Sequence, residues 1–140
     1  QLRPLVDVLI ITIHAWTEYV RDPNWLQIEF AHAAIDAVAD LVIGHHAHWP
    51  QIIEQYGKGW IFYGLGNFVF DQEWSQETKE GLILEADFVG GVLSEIEMLP
   101  VIIENYSTPR FASDKEAERI LQSIGLKNGL IFSNERAETP

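Results

Sequence analysis

The chain has 140 residues, a formal net charge of −12 and no cysteine, and 47% of its residues are hydrophobic. This length and apolar content allow a sizeable core, whereas the acidity argues against nucleic acid or an anionic membrane surface as a partner. The acidity also disfavours a polyanionic substrate unless a bound metal supplies local positive charge. Without cysteine, any metal must be held by imidazole and carboxylate groups, a ligand set that suits Mn, Fe or Zn.

No segment is long and apolar enough to span a bilayer, and neither a signal peptide nor an interdomain linker is visible. We therefore expect one domain over residues 1–132, followed by a polar tail at residues 133–140. The sequence begins at Gln1 without a methionine and enters an apolar strand within a few residues. On this basis we expect that a preceding part of the same protein is missing from it.

The first part of the chain is predicted to form a strand, a helix and a second strand. The apolar run 6–13 is predicted to be a strand buried on both faces, and it ends directly in His14. A helix capped by Asp22 is predicted over residues 24–38, and the apolar run 41–43 is the second strand. The apolar residues at helical spacing are Leu26, Phe30, Ala33, Ala34 and Ala37. A βαβ unit has parallel strands, so both strands end at one sheet edge, where α/β folds bind ligands.

Three histidines in four positions follow the second strand and are the strongest indication of function. On an extended segment alternate side chains share a face, so His46 and His48 are predicted to point one way and His45 the other. Gly44 and Pro50 favour this extended geometry. Paired imidazoles at a strand end are typical metal ligands, so we predict His46 and His48 as ligands, with His45 as a neighbour that orients them.

Other polar residues leave two interpretations open. His14 by itself is as consistent with a structural role as with metal binding, and His32, within the predicted helix, is interpreted as structural. Asn67 follows two glycines that match no phosphate-binding fingerprint, and it is either a turn residue or a residue of the site.

The second part of the chain reads as strands and one helix. Short strands are predicted at residues 51–56 and 60–63, and a polar loop at residues 71–80 carries Trp74 as an anchor or a lid. Residues 82–98 alternate apolar and polar side chains around two glycines, which predicts a hairpin with one buried face. Ser113 and Glu116 have the spacing of a capping box before a last helix that Gly125 ends.

Three ordered segments resemble one protein family. Residues 14–19 (HAWTEY), 39–48 (ADLVIGHHAH) and 62–71 (FYGLGNFVFD) resemble the C-terminal half of bacterial capsule-synthesis proteins of the CapA type. That family is associated with poly-γ-glutamate and is related to the calcineurin-like metallophosphoesterases. The resemblance implies an α/β fold, the C-terminal half of a metallophosphoesterase-like α/β-β/α sandwich. It also implies two divalent metal ions at the strand ends and an extracytoplasmic place in the bacterial cell envelope.

Carried over by position, the resemblance makes His14, His46 and His48 metal ligands and gives Glu18 a supporting role, with helix capping as its alternative. Two positions depart from the family pattern, because His45 separates Gly44 from the histidine pair and Trp16 stands where glycine is common. The superfamily's earlier motifs, which supply the Asp-x-His start, the bridging aspartate and an asparagine ligand, are absent. Half of the expected ligand set is therefore missing from these residues.

Three functions stay open from the sequence. The first is part of a two-metal hydrolase that acts on an anionic polymer or a phosphoester, inactive without its missing half. The second is a component of capsule assembly that binds metal and handles polymer without catalysis. The third is a degenerate chain that binds no metal.

Overall fold

Two β-sheets and two helices make up the structure, a computed structural model that describes residues 2–133. The first sheet has the strand order β1-β2-β4-β3, and helix α1 connects β1 to β2. Its elements are β1 (Ile10–His14), α1 (Trp25–Asp36), β2 (Leu41–His45), β3 (Ile53–Tyr56) and β4 (Gly59–Phe62). β1, β2 and β4 run parallel, and β3 pairs antiparallel with β4. The predicted βαβ unit is thereby confirmed, as are the two short strands after it.

The first strand differs from its prediction in length and in burial. It begins at Ile10, because the preceding residues form a short 3-10 turn, Arg3–Leu5, whose arginine pairs with Asp40. It is not buried on both faces, since Ile10, Thr12 and His14 are exposed. β1 is the edge strand of the described sheet, so only one of its sides pairs with a neighbour.

The N-terminal cap of helix α1 lies two residues later than predicted. Asn24, not Asp22, is the cap, and its side-chain oxygen accepts a hydrogen bond from the Gln27 backbone N–H at 3.0 Å. The buried face also differs, because Leu26 and Phe30 are exposed. Gln27, Ala31 and Ile35 are buried instead, together with the predicted Ala34. Gln27 belongs to this face because its amide donates to the Tyr63 carbonyl at 2.9 Å and to the Gln51 side chain at 2.8 Å.

Side-chain alternation along β2 and β4 divides the core in two. Val42 and Ile61 face helix α1, whereas Leu41 and Phe62 face the second sheet. All four are at most 2% exposed, so the central strands are buried on both faces. These strands therefore form a rigid base for the residues that follow their carboxyl ends.

The second sheet is antiparallel and contains the predicted hairpin. Its elements are β5 (Glu80–Val89), β6 (Val92–Glu104), β7 (Thr108–Phe111) and β8 (Leu130–Ser133), with β6 paired to the other three. Gly90 and Gly91 form the turn with φ of 58° and 79°, a conformation that glycine adopts without strain. β7 and β8 were not predicted. Ser133 ends β8, and the remainder of the predicted tail lies outside the described residues.

Helix α2 (Asp114–Ser123) confirms the predicted capping signal. The Glu116 carboxylate accepts from the Ser113 backbone N–H at 2.8 Å and from the Ser113 hydroxyl at 2.7 Å. The Arg110 guanidinium also donates to Glu116, and this contact is the main reason that the pKa of the Glu116 carboxyl lies far below its usual range. Ile120, Leu121 and Ile124 then pack into the core between the sheets.

The architecture is thus mixed α/β, with two helices and two sheets, as expected for the C-terminal half of an α/β sandwich. No helix among residues 2–133 is long and apolar enough to cross a membrane.

Candidate metal centre

The histidines gather where β1 and β2 end, as the parallel topology requires. His14 and His45 are the last residues of these strands and are partners in the register. Beyond His45 the chain is not extended, because His46 and His48 have φ of 91° and 58°. The predicted alternation is therefore wrong as a description of the backbone. The two side chains still come together, with ring centroids 6.0 Å apart, because two left-handed residues turn the segment back on itself.

Glu18 reaches the histidines through a second turning loop. Trp16 and Tyr19 have φ of 84° and 58°, and the Tyr19 backbone N–H donates to the Ala47 carbonyl at 2.8 Å. Trp16 occupies the position where the resembled family commonly has glycine, and the loop adopts a conformation that glycine would accept without cost. The loop docks on the histidine segment, and Glu18 therefore faces the histidines instead of capping a helix.

Three ligand-type atoms converge in this place. The Glu18 Oε1 atom lies 3.9 Å from His46 Nε2 and 3.7 Å from His48 Nε2, and all three atoms lie within 4.8 Å of one another. Within residues 2–133 these side chains are the one group of three acidic or imidazole residues with such a spacing. Two atoms bound to one ion through bonds of about 2.1 Å lie at most about 4.2 Å apart. Both distances from Glu18 to the imidazole nitrogens are below this limit, and one carboxylate with two imidazoles is a ligand set that suits a divalent ion of the Mn, Fe or Zn type.

Asn67 fixes the ring of His48. Its Oδ1 atom lies 2.8 Å from His48 Nδ1, and its Nδ2 atom donates to the Thr78 carbonyl at 2.9 Å. Because the Thr78 carbonyl accepts only, the amide group must face it, and Oδ1 must face His48. His48 Nδ1 therefore carries the proton, and Nε2 presents its lone pair toward Glu18. Metal-binding histidines are usually oriented by such a partner.

His14 contacts His46 on the side away from Glu18. The His14 Nε2 atom lies 3.1 Å from His46 Nδ1, and the ring centroids are 4.9 Å apart. This distance is that of a hydrogen bond, which would orient His46 as Asn67 orients His48. The same 3.1 Å distance is also typical of two nitrogen ligands bound to one ion. His14 is thus brought to the site but lies outside the three-residue group, and its ligand role stays a prediction.

His45 faces a different part of the molecule. It lines a cleft between the sheets together with Ile43, Leu65 and Leu82. Burial, and to a lesser extent the charge of His14, lower the pKa of the His45 imidazole. His45 is therefore a neighbour of the site on the sheet side of the histidine pair.

Aromatic side chains form one wall of the centre. The Tyr19 ring stacks on His48 at 5.7 Å, the Phe70 ring lies 5.0 Å from His48, and Trp74 packs edge-on against Tyr19 at 4.8 Å. Trp74 is thus an anchor of the loop at residues 71–80, although 61% of its surface is exposed. Beside this wall, 13% of the His48 side chain is exposed.

His32 lies outside the centre, as its structural interpretation requires. Its Nε2 atom is 3.1 Å from both carboxylate oxygens of Glu54, and its ring stacks on Tyr56 at 3.8 Å. The Tyr63 hydroxyl donates to the same carboxylate at 2.6 Å. Burial raises the pKa of the Tyr63 hydroxyl well above its ordinary value, and the contact with Glu54 adds to this effect. The contact between His32 and Glu54 joins α1 to β3.

Reasoning from residue types and spacing did not identify Glu18 as a member of the ligand group. Its place depends on left-handed backbone at Trp16 and Tyr19, and neither residue type signals that conformation. Tyr19 and Thr78 were missed for a similar reason, because their contributions are a ring stack and a backbone carbonyl. Asn67, predicted as either a turn or a site residue, does contact the site.

Comparison with known proteins identifies relatives of the chain. Residues 1–72 match the family model described as bacterial capsule synthesis protein PGA_cap. The chain is 32% identical to the capsule biosynthesis protein CapA of Bacillus anthracis, over 84% of this chain and 28% of that protein. It is 38% identical to the PGA biosynthesis protein CapA of Bacillus subtilis, over 74% of this chain and 27% of that protein.

A third relative comes from another genus. The chain is 31% identical to a probable polyglutamine synthesis accessory protein of Mycobacterium tuberculosis, over 84% of this chain and 33% of that protein. The chain thus spans about a third or less of the length of these curated relatives. The family model covers half of the chain, in the part that contains the whole βαβ unit and the histidine segment. The chain belongs to the CapA family of bacterial capsule synthesis proteins.

Proposed function

We propose that this chain is the metal-binding part of a capsule-synthesis protein whose full-length form is a metal-dependent hydrolase of the metallophosphoesterase type. The observation that carries the proposal is the convergence of Glu18 Oε1 with the Nε2 atoms of His46 and His48 at the carboxyl edge of a parallel sheet. A bound divalent ion would polarise a phosphoryl or acyl oxygen and activate a water molecule.

The residues of this chain have distinct tasks in the proposal. Glu18, His46 and His48 hold the ion, and Asn67 keeps the lone pair of His48 directed at it. His14 either orients His46 or contributes a further ligand. The net charge of −12 would repel an anionic polymer or phosphoester, so attraction of such a substrate depends on the positive charge of the ions.

The full-length protein is proposed to hold two ions. Two-metal sites hold their ions roughly 3.5–4 Å apart and need bridging ligands. The described residues offer one three-residue group, so we propose that the part of the full-length protein outside this chain supplies the other ligands and that this chain alone is inactive. The outer edge of β1, where Ile10 is 45% exposed, is a suitable place for that part to dock.

The names of the relatives support a role in the cell envelope. The Bacillus proteins are named for capsule and PGA biosynthesis, and a capsule lies outside the cell. We propose an extracytoplasmic location and an anionic polymer, or a phosphoester from its synthesis, as the substrate.

Hydrolysis of bis-p-nitrophenyl phosphate by the full-length protein loaded with Mn²⁺ tests the proposal. We expect His48→Ala and Glu18→Gln to lower kcat/KM at least 100-fold, because each removes a ligand. His32→Ala is the matched control, since it removes a histidine from the same domain without touching the centre, and it should change kcat/KM less than threefold. An active His48→Ala protein would refute the proposal.

A second candidate is a metal-binding assembly component without catalysis. It is favoured by the name of the mycobacterial relative, an accessory protein. Among residues 2–133 no general acid is assigned beside His48. In this case the full-length protein binds metal through His48 but does not hydrolyse phosphoesters, while His48→Ala still abolishes polymer formation in cells. Turnover by the purified wild-type protein separates the two candidates.

A further inference from the structure

We propose that Arg119 of helix α2 is a positioning residue for the metal centre. It acts through the buried carboxylate of Glu80, which holds the turn at residues 78–80, where the 3-10 turn Glu77–Lys79 leads into β5. That turn fixes Asn67 and, through Asn67, the tautomer of His48. The consequence for metal affinity rests on the proposed function, whereas the consequence for the tautomer does not.

The turn at residues 78–80 accepts two hydrogen bonds from Asn67. The Thr78 carbonyl accepts from the Asn67 side-chain amide at 2.9 Å, and the Glu80 carbonyl accepts from the Asn67 backbone N–H at 3.4 Å. Asn67 is 6% exposed and Thr78 is fully buried, so water does not offer replacement partners. A shift of the turn therefore releases the side-chain amide and, with it, the hydrogen bond to His48.

Glu80 ties this turn to helix α2. Its side chain is 1% exposed, and it is paired with the Arg119 guanidinium and with the Gln76 amide, which donates at 3.2 Å. A buried carboxylate is stable in the ionised form only with such a partner. Without Arg119, we expect an ionised Glu80 to move toward solvent and to take the turn at residues 78–80 with it.

The contact differs from ordinary anchoring of the helix. Arg110 of β7 also joins helix α2 to the second sheet, through Glu116, yet none of its contacts involves the turn at residues 78–80. Loss of either arginine should weaken the attachment of α2. Only loss of Arg119 should change His48, and this difference makes Arg110→Ala the matched control.

The test is ¹⁵N NMR of the metal-free 140-residue protein labelled at histidine, at pH 8.5, where an ordinary imidazole is neutral. The His48 signals are identified by their loss in His48→Gln. In the wild type we expect the proton on Nδ1. In Arg119→Ala we expect a mixture that contains the Nε2-protonated form, and in Arg110→Ala the wild-type signals.

Rescue separates positioning from folding. The double variant Glu80→Gln/Arg119→Ala removes both charges of this pair, so no unpaired charge is left at position 80. We therefore expect it to regain the wild-type tautomer of His48. If circular dichroism shows that Arg119→Ala is unfolded, Arg119→Gln replaces it, because glutamine keeps a hydrogen-bond donor for Glu80 without the charge. Mn²⁺ affinity by calorimetry should fall about 10-fold in Arg119→Ala, at the lower end of the effect of removing an outer partner of a ligand, and less than twofold in Arg110→Ala.

An unchanged His48 tautomer in the folded Arg119 variant would overturn the inference, as would failure of the double variant to restore it. The two proposals fail separately. If the tautomer changes as expected but wild-type protein binds no metal, the positioning role stands and the proposed function falls. If the wild type binds metal but Arg119→Ala leaves the His48 tautomer unchanged, the proposed function stands and the positioning role falls.

Discussion

The β5–β6 hairpin and the loops at the ends of β1 and β2 are built by different means. In the hairpin, residues 80–87 of β5 pair with β6 in one unbroken register. The loops have no register beyond the strand ends, and four of their non-glycine residues have positive φ, namely Trp16, Tyr19, His46 and His48. Such backbone costs about 1–3 kcal/mol per residue and is retained where surrounding contacts demand it. The difference indicates that the hairpin beyond its Glu80 end serves stability, whereas the loops hold strain in return for the arrangement of Glu18 and the histidines.

This contrast also explains what the sequence could predict. The hairpin follows from alternation, which repeats along a long strand and is read directly from residue types. The gathering of His14 with the later histidines follows from topology alone, since parallel strands end at one edge. The pairing of His46 with His48 was predicted from an extended backbone, and the actual cause is left-handed turning.

Other features could not be predicted because they depend on long-range contacts. Glu18 joins the group only because Tyr19 hydrogen-bonds to Ala47, 28 positions away in a separate loop. The buried face of α1 includes Gln27, whose burial is compensated by the Tyr63 carbonyl, so a purely apolar pattern selects the wrong face. The exposure of β1 depends on which strands flank it, and a single strand's sequence does not contain that information.

The largest effect on stability should come from the hairpin. Ile96 in β6 is fully buried, and Ile96→Ala should lower the free energy of unfolding by about 3 kcal/mol through lost burial and a cavity. Val92→Ala, in the same strand but with Val92 56% exposed, should cost less than about 0.5 kcal/mol. Urea unfolding measures both. Ile96 pairs with Ala86, away from Glu80, the residue of the hairpin whose carbonyl contacts Asn67. Folded Ile96→Ala should therefore retain the Mn²⁺ affinity of the wild type, and a large loss would break the separation of roles.

Asn67→Ala should lower metal affinity, which Ile96→Ala should leave unchanged. Removal of the partner of His48 Nδ1 frees the ring, so Mn²⁺ affinity should fall 10- to 100-fold, as is typical for partners of metal ligands. Calorimetric titration measures the change. Gln72→Ala is the control, because Gln72 contacts Asn67 and Tyr19 but not the histidine, and its effect should be under threefold. Equal losses in both variants would show that the loop matters as a whole and that the His48 hydrogen bond does not.

The smallest effect concerns acid stability at helix α2, away from the loops. Contact with Arg110 depresses the pKa of Glu116 in the folded state, so its stabilising contribution is present above the unfolded pKa of about 4.3 and is lost as pH falls toward the folded value. The difference in urea midpoint between the wild type and Glu116→Gln should therefore be constant above pH 5 and shrink between about pH 4 and 2. The contribution is small because the pair is exposed to solvent. A difference that grows on acidification would contradict the assignment.

We propose that Glu18, His46 and His48 form the metal-binding group and that His45 does not belong to it. Elemental analysis after equilibration with Mn²⁺ and gel filtration compares wild type, His45→Ala and His48→Ala most directly. We expect metal to be retained by the wild type and by His45→Ala and to be lost from His48→Ala, because of these two histidines only His48 presents a ring nitrogen to Glu18. Equal metal contents in His45→Ala and His48→Ala, whether both retained or both lost, would contradict the account.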